Sequence, residues 1–346
     1  MQKGLSELNK IAACAAVLLT VGVSSAHSQD AVKVGVNKVI SDVVFYIAQD
    51  HGFFAEENLK VDLIPFDSGP RMIAPLGAGQ IDIGAGASSA GLYNAVSRGI
   101  GVKIVADKGS SPAGYDYMPL IVRKDLVDSG KVKSFADLKG LKLAAAGPGS
   151  ATNSKLNVAL TMGGLTYKDA EIVNMSYPQQ VVALTSKAID ASITTEPSVS
   201  QAVNSGVAVR MSGDQIYPGQ QVAVLLYGDD LLTKRRDVGQ RFMNAYVRAA
   251  RIYTDATGSG HFTGPGAEEI IALIMKTTGI SDRKLFDDMI PNGISPDGTV
   301  NMKSLDEDLQ FFQSQGQIEK PVTSNDVVDL SFVENAVKKL GPYKAR

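Results

Sequence analysis

The sequence predicts an α/β protein of two similar lobes facing each other across a cleft, and three observations predict it. Residues 64–82 (IPFDSGPRMIAPLGAGQID) and 172–190 (IVNMSYPQQVVALTSKAID) align without gaps at an offset of 108. They share Ile64/Ile172, Ser68/Ser176, Pro70/Pro178, Leu76/Leu184, Ile81/Ile189 and Asp82/Asp190. Each copy follows an apolar strand-like run (VKVGV at 32–36, LKLAAAG at 141–147) and a helix-like run (42–50, 151–162). Strands apolar on both faces alternate with helices throughout, the pattern of mostly parallel sheets covered on both sides. Ligands of such sheets sit outside the carboxyl ends of the strands, so a duplicated unit predicts a shared cleft that closes.

In the first lobe VKVGV is a buried strand, and Ser41-Asp42 can cap the helix VVFYIAQDHGFF. LKVDLIPF (59–66) is the second strand, and Pro70 suits the first turn of the helix after it. IDIGAG (81–86), a helix near 88–97 and the strand GVKIVAD (101–107) complete the unit. YMPLIVRKDL (117–126) reads as a long strand into the second unit, which repeats the order through LKLAAAG, AEIVNMS, the Pro178 helix, IDASIT and VAVRM. QVAVLLYGDDLL (221–232) is a second long apolar strand. Two such strands bracketing the second lobe predict hinges, with the second lobe inserted in the first. Helices are expected at 233–256, 265–277, 282–289, 304–315 and 326–340, packed on the first lobe. The expected division is a leader at 1–28, a first lobe from 29–116 plus 227–346, and a second lobe at 117–226.

The leader has Lys3 and Lys10 before or beside the apolar run Ile11–Val23, then small residues that allow cleavage after Ala26 or Ser28. This is the three-part pattern of a secretory signal, and 13 apolar residues are fewer than the roughly 20 that span a bilayer. Periplasmic location follows. Cys14, the single cysteine, precedes most of the apolar run, which argues against lipid anchoring there. A chain cleaved after the leader has no thiol, hence no disulfide and no cysteine nucleophile. A formal charge of -2 recommends no nucleic-acid partner, and a monomer is expected.

Chemistry-bearing motifs are few. His27, His51 and His261 are far apart in sequence and form no metal-ligand spacing, so neither a metal nor a cofactor is expected. GPGSATNSK (147–155) lacks the end of a phosphate loop, and GAGASSAG (84–91) is no nucleophile elbow. What remains is backbone amides at strand-to-helix turns built of small residues. The turns are Asn37–Ser41, Ser68–Gly69 and Gly86–Ser89 in the first lobe. Pro148–Thr152, Ser176–Tyr177 and Thr194–Glu196 answer them in the second. The candidate contacts are Asn37, Ser41, Ser68, Gly86, Ser88, Ser89, Ser150, Ala151 and Thr152, each of which either touches ligand or only caps a helix. Glu196, before Pro197, either accepts from ligand or is a helix-start charge. Arg71 either grips an anion or is a solvated arginine. Tyr177 and Tyr217 are candidates for flat apolar contact.

VKVGVNKVISDVVFYIAQDHGFFAEENLKVDLIPFDSG, then PLGAGQIDIGAGASS, resembles the solute-binding proteins of ABC importers of the nitrate/sulfonate/taurine type. The shared phrases are A-x-x-x-G-F-F-x-x-E-x-L, here Ala48 to Leu59, and A-L-x-x-G-x-I-D, here PLGAGQID. LKGLKLAAAGPGSATNSKL resembles the opening of the second lobe, and TTEPSVSQA the usual Glu-Pro helix start. The resemblance implies a type II periplasmic binding protein fold and closure around a small organic solute (sulfonate, carboxylate or pyrimidine-like). It also implies delivery to an inner-membrane ABC permease with a cytoplasmic ATPase. It places Asn37, Ser41, Ser88, Ser89, Ser150, Thr152 and Glu196 on the cleft. The sequence departs from the pattern in having no Trp and in placing Pro70-Arg71 where small or acidic residues are usual. The alternatives are a thiamine-pyrimidine synthase-like enzyme, against which the leader and the thiol-free mature chain speak, and a solute-sensing receptor.

Overall fold

The computed structural model describes residues 28–115, 118–211 and 215–345. Cys14 and the cleavage position at Ala26 therefore lie outside the described residues. The first half runs β1 (Asp30–Val36), α1 (Val43–Asp50), α2 (Phe53–Glu56), β2 (Leu59–Pro65), α3 (Ile73–Gly77), β3 (Ile83–Ala87), α4 (Ala90–Ser97) and β4 (Val102–Ser111). The second runs β5 (Leu120–Arg123), α5 (Lys124–Asp128), β6 (Lys142–Ala145), α6 (Ala151–Met162), β7 (Glu171–Asn174), α7 (Tyr177–Thr185), β8 (Ala191–Ile193), α8 (Ser198–Asn204) and β9 (Ala208–Arg210). The chain then returns through β10 (Gln220–Gly228), α9 (Asp229–Leu232), α10 (Arg236–Ala256), α11 (Ala267–Thr278), α12 (Met302–Ser314) and α13 (Ser331–Leu340).

Two five-stranded sheets result, in the orders β2-β1-β3-β10-β4 and β7-β6-β8-β5-β9. In each, the first strand of the repeat pairs in parallel with its two neighbours, and one antiparallel strand separates the third from the last. That inserted strand is β10 in the first sheet and β5 in the second, each the first strand made after a crossing. This is the type II periplasmic binding protein architecture that the resemblance implied. The runs expected to be hinges are these inserted strands. β10 is buried along its whole length, and the chain has re-entered the first sheet by Gln220, ahead of the expected boundary after 226. The crossings themselves lie between Ser111 and Leu120 and between Arg210 and Gln220. The expected long strand at 117–126 shortens to four residues because Arg123 turns its guanidinium onto Asp125 and Asp190 as α5 begins.

Burial explains the alternation. Val32, Val34 and Val36 of β1 and every residue of β3 are enclosed. Small residues in β3 have a second use: a Cβ on Gly69 would lie 2.5 Å from the Ala87 amide nitrogen, and one on Gly86 2.7 Å from the Gly69 Cα. The turn after β2 thus lies directly on β3, which only glycine permits. Behind the first sheet α10 runs for 21 residues, with Phe242 stacked on Phe54 at 5.1 Å and Tyr246 against Phe45 at 5.7 Å. α13 seals the same face through Phe332, edge-on to Tyr227. The helix expected at 282–289 is a single 3-10 turn, Arg283–Phe286. α12 differs from the expectation that the C-terminal helices serve the first lobe alone. Its Phe311 meets Tyr167 edge-on at 5.3 Å, and its Asp308 is buried beside the start of α6.

Candidate functional site

The carboxyl ends of both sheets face each other. The turn Asn37–Ser41 follows β1, Gly86 and Ala87 end β3, Thr195 follows β8, and Tyr177 opens α7 after β7. With Lys108 of β4, Met118 at the first crossing and Val222 and Ala223 of β10 they enclose a chamber of about 10 Å³, the room of one water. A wider cavity of about 340 Å³, lined by Lys38, Phe66, Asp67, Ser176 and Tyr177, forms its mouth. The lobes are therefore closed on each other.

Closure is made by the helix starts. Ala90 N–H donates to the Gly149 carbonyl at 2.8 Å, and Ala151 N–H donates to the Ser88 carbonyl at 3.1 Å, pairing Ser89 with Ser150 as a short antiparallel bridge across the cleft. A third link runs from Ile40 N–H to the Glu196 carbonyl at 3.1 Å. The first amides of α4 and α6, which would hold an oxyanion at a helix N-terminus, are occupied by the opposite lobe. Gly149 and Gly147 permit the approach: a Cβ on Gly147 would stand 2.9 Å from Ser68 Oγ of the other lobe.

The expected residues divide accordingly. Asn37, Ser41, Gly86 and Tyr177 line the chamber. Ser88, Ser89, Ser150 and Ala151 form the bridge, and Ser68 abuts Gly147. Thr152 accepts from Ala146 N–H at 3.2 Å and Ser150 Oγ donates to the Gly147 carbonyl at 2.8 Å, so both shape their own turn. The Glu196 carboxylate turns away from the chamber, accepting from Ser200 N–H at 3.0 Å inside α8 and pairing with Arg210. Burial raises its pKa, opposed by Arg210. Arg71 is a solvated arginine, 71% exposed and 4.0 Å from Asp67. Tyr217 lies at the second crossing and donates to the Ser304 carbonyl at 3.3 Å, holding the start of α12 rather than facing the chamber.

Sequence reasoning missed a pair of charges. Lys108 is buried in the chamber wall with its ammonium 2.7 Å from Asp42 Oδ1 and 2.8 Å from Ser41 Oγ. Asp42, expected only as a cap, accepts from the Asn37 and Val39 amides at 3.1 and 3.0 Å through its other oxygen. The available signal was a lysine directly after the strand run GVKIVAD (101–107), where a solvated side chain was the ordinary expectation. Behind the bridge, Gln220 Nε2 donates to the Ala151 carbonyl at 2.8 Å, and burial pushes the adjacent Asp308 up to about 7.

Comparison with known proteins agrees with this architecture. A putative ABC transporter periplasmic binding protein of Brachyspira hyodysenteriae is 25% identical over 237 residues, just under two thirds (66%) of each chain. A putative aliphatic sulfonates-binding protein of Bacillus subtilis is 24% identical over 98% of both chains. The alkanesulfonate-binding protein of Xanthomonas axonopodis pv. citri, solved with MOPS bound, shares the fold. Its TM-score is 0.69 at 19% identity, covering 86% of this chain and 98% of that one. The model of the NMT1-like family matches residues 25–259, well over half of the sequence, and the chain belongs to that family.

Proposed function

We propose that this protein is the extracytoplasmic solute-binding component of an ABC importer, which captures a small organic solute between its lobes and presents it to a membrane permease. The observation that carries this reading is the paired Ser88–Ala90 and Gly149–Ala151 bridge. Two separately built sheets meet through a few backbone hydrogen bonds and are joined by two crossings, the geometry of a hinged clamp. The similarity to proteins named as periplasmic and sulfonate-binding supports it. Entry requires the lobes to part, because the closed chamber is smaller than any organic solute. Solute binding then shifts an existing open–closed equilibrium, with both lobes contributing contacts.

Binding proceeds without conversion of the solute. The Lys108 ammonium is committed to Asp42 and Ser41, which removes it as a nucleophile, and His51 lies elsewhere, 3.7 Å from Glu269. The leader directs the chain to the periplasm, where it works as a monomer. A solute panel screened by thermal shift tests the reading. One chemical class should raise the melting temperature, by about 2.7 kcal/mol of stabilisation at a hundredfold excess over Kd. Small-angle scattering should show compaction on addition of the same solute. Steady turnover of the solute would sink the receptor reading.

A further inference from the structure

A buried carboxylate stands at a cleft turn in each lobe, and these two, Asp42 and Glu196, are aimed differently. Glu196 of the second lobe faces inward to Arg210 and α8. Asp42 of the first lobe faces Lys108, whose side chain is 1% exposed and lines the chamber. Two backbone amides fix Asp42 from behind. The wall thus contains a cation that is already satisfied.

The other described side chains facing the chamber, among them Asn37, Met118, Tyr177 and Thr195, carry no formal charge. Lys38 and Asp67 are charged but stand at the exposed mouth, and Arg71 is solvated beside Asp67. An anion enclosed in the chamber finds no unspent positive charge in its lining, and burying it uncompensated is costly. A polar molecule without net charge finds in the lining the buried Thr195 Oγ1, a hydroxyl that holds no hydrogen bond.

Resting on the solute-binding reading above, we infer that Asp42 sets the charge preference of the cleft. By holding Lys108 it makes the chamber wall electrically neutral, so the captured solute is a polar molecule of zero net charge rather than an anion.

The test uses the full mature chain and matched probes. Native mass spectrometry identifies a small molecule that co-purifies and its charge. Titration calorimetry compares ethanesulfonate with taurine, and benzoate with benzamide, pairs that differ chiefly in net charge. The expected result is a co-purified neutral molecule, or a neutral probe bound at least tenfold tighter than its anionic twin. Asp42→Asn should then tighten ethanesulfonate binding at least tenfold, and adding Lys108→Met should abolish that gain. An anionic co-purified solute, or an anionic probe preferred by the wild type, overturns the charge inference and leaves solute binding standing. No co-purified molecule and no response to any probe overturns both. If Asp42→Asn fails to fold, the wild-type pairs still decide.

Discussion

In the first lobe Asp82 accepts from the Lys33 amide at 2.7 Å and pairs with Arg235 at 3.2 Å; in the second, Asp190 accepts from the Lys142 amide at 2.9 Å and pairs with Arg123 at 3.2 Å. Both aspartates precede the third strand of their sheet and tie it to the first, and both also join the inserted antiparallel strand, through Gly228 N–H in one lobe and Arg123 N–H in the other. At the cleft the lobes part company. The first turn of lobe one is organised by the Asp42 carboxylate and its buried lysine, whereas that of lobe two is organised by Ser150, Thr152 and Asn153, all neutral. Duplication has kept the sheet's own fastening and changed what faces the solute.

The comparison can be broken at several points. Asp42→Ala strands Lys108 in the wall and removes the acceptor for two amides, and should cost about 3–5 kcal/mol in urea unfolding. A loss under about 1 kcal/mol would mean that water reaches the pair. Next in size is a pH effect at the seam between lobes. Burial raises Asp308 to about 7 in the folded chain, so between its unfolded value near 4 and pH 7 the folded state binds the extra proton. Stability should therefore fall as pH rises through that window, by a few kcal/mol at most, and Asp308→Asn should flatten the profile. A stability that climbs across that range would contradict the burial of Asp308.

Asp82→Ala and Asp190→Ala each remove charge-assisted hydrogen bonds and should cost about 2 kcal/mol, nearly equally. A difference beyond roughly 1 kcal/mol would break the equivalence of the two fastenings. Thr152→Val, which deletes one neutral acceptor at the second lobe's turn, should cost about 1 kcal/mol, well below its first-lobe counterpart Asp42. Smallest is Arg71→Ala, expected within about 0.5 kcal/mol and without effect on solute affinity, since the side chain is solvated.

The duplication was legible because it resides in features that sequence displays directly: apolar runs, Pro70 and Pro178 at helix starts, and the paired aspartates. The positions of α3 and α7 followed from it. The inserted strands were visible as apolar runs, but their antiparallel place inside each sheet was not, since periodicity carries no pairing information. The helix-start serines were found; their use in closing the lobes was not, because Ala90 and Ala151 meet the opposite carbonyls only through tertiary geometry. Lys108 was passed over for a similar reason. Its partner Asp42 is 66 residues away, and a local reading sees only a cap and a surface lysine.

The strand order has a consequence for how the chain comes to be folded. β10 is the middle partner of β3 and β4, yet it is made more than a hundred residues after either. A chain emerging amino end first can complete the second sheet from contiguous segments while β3 and β4 still show bare edges. Until β10 arrives those edges are templates for pairing with other chains, so the first half is where a newly made chain is most exposed to aggregation.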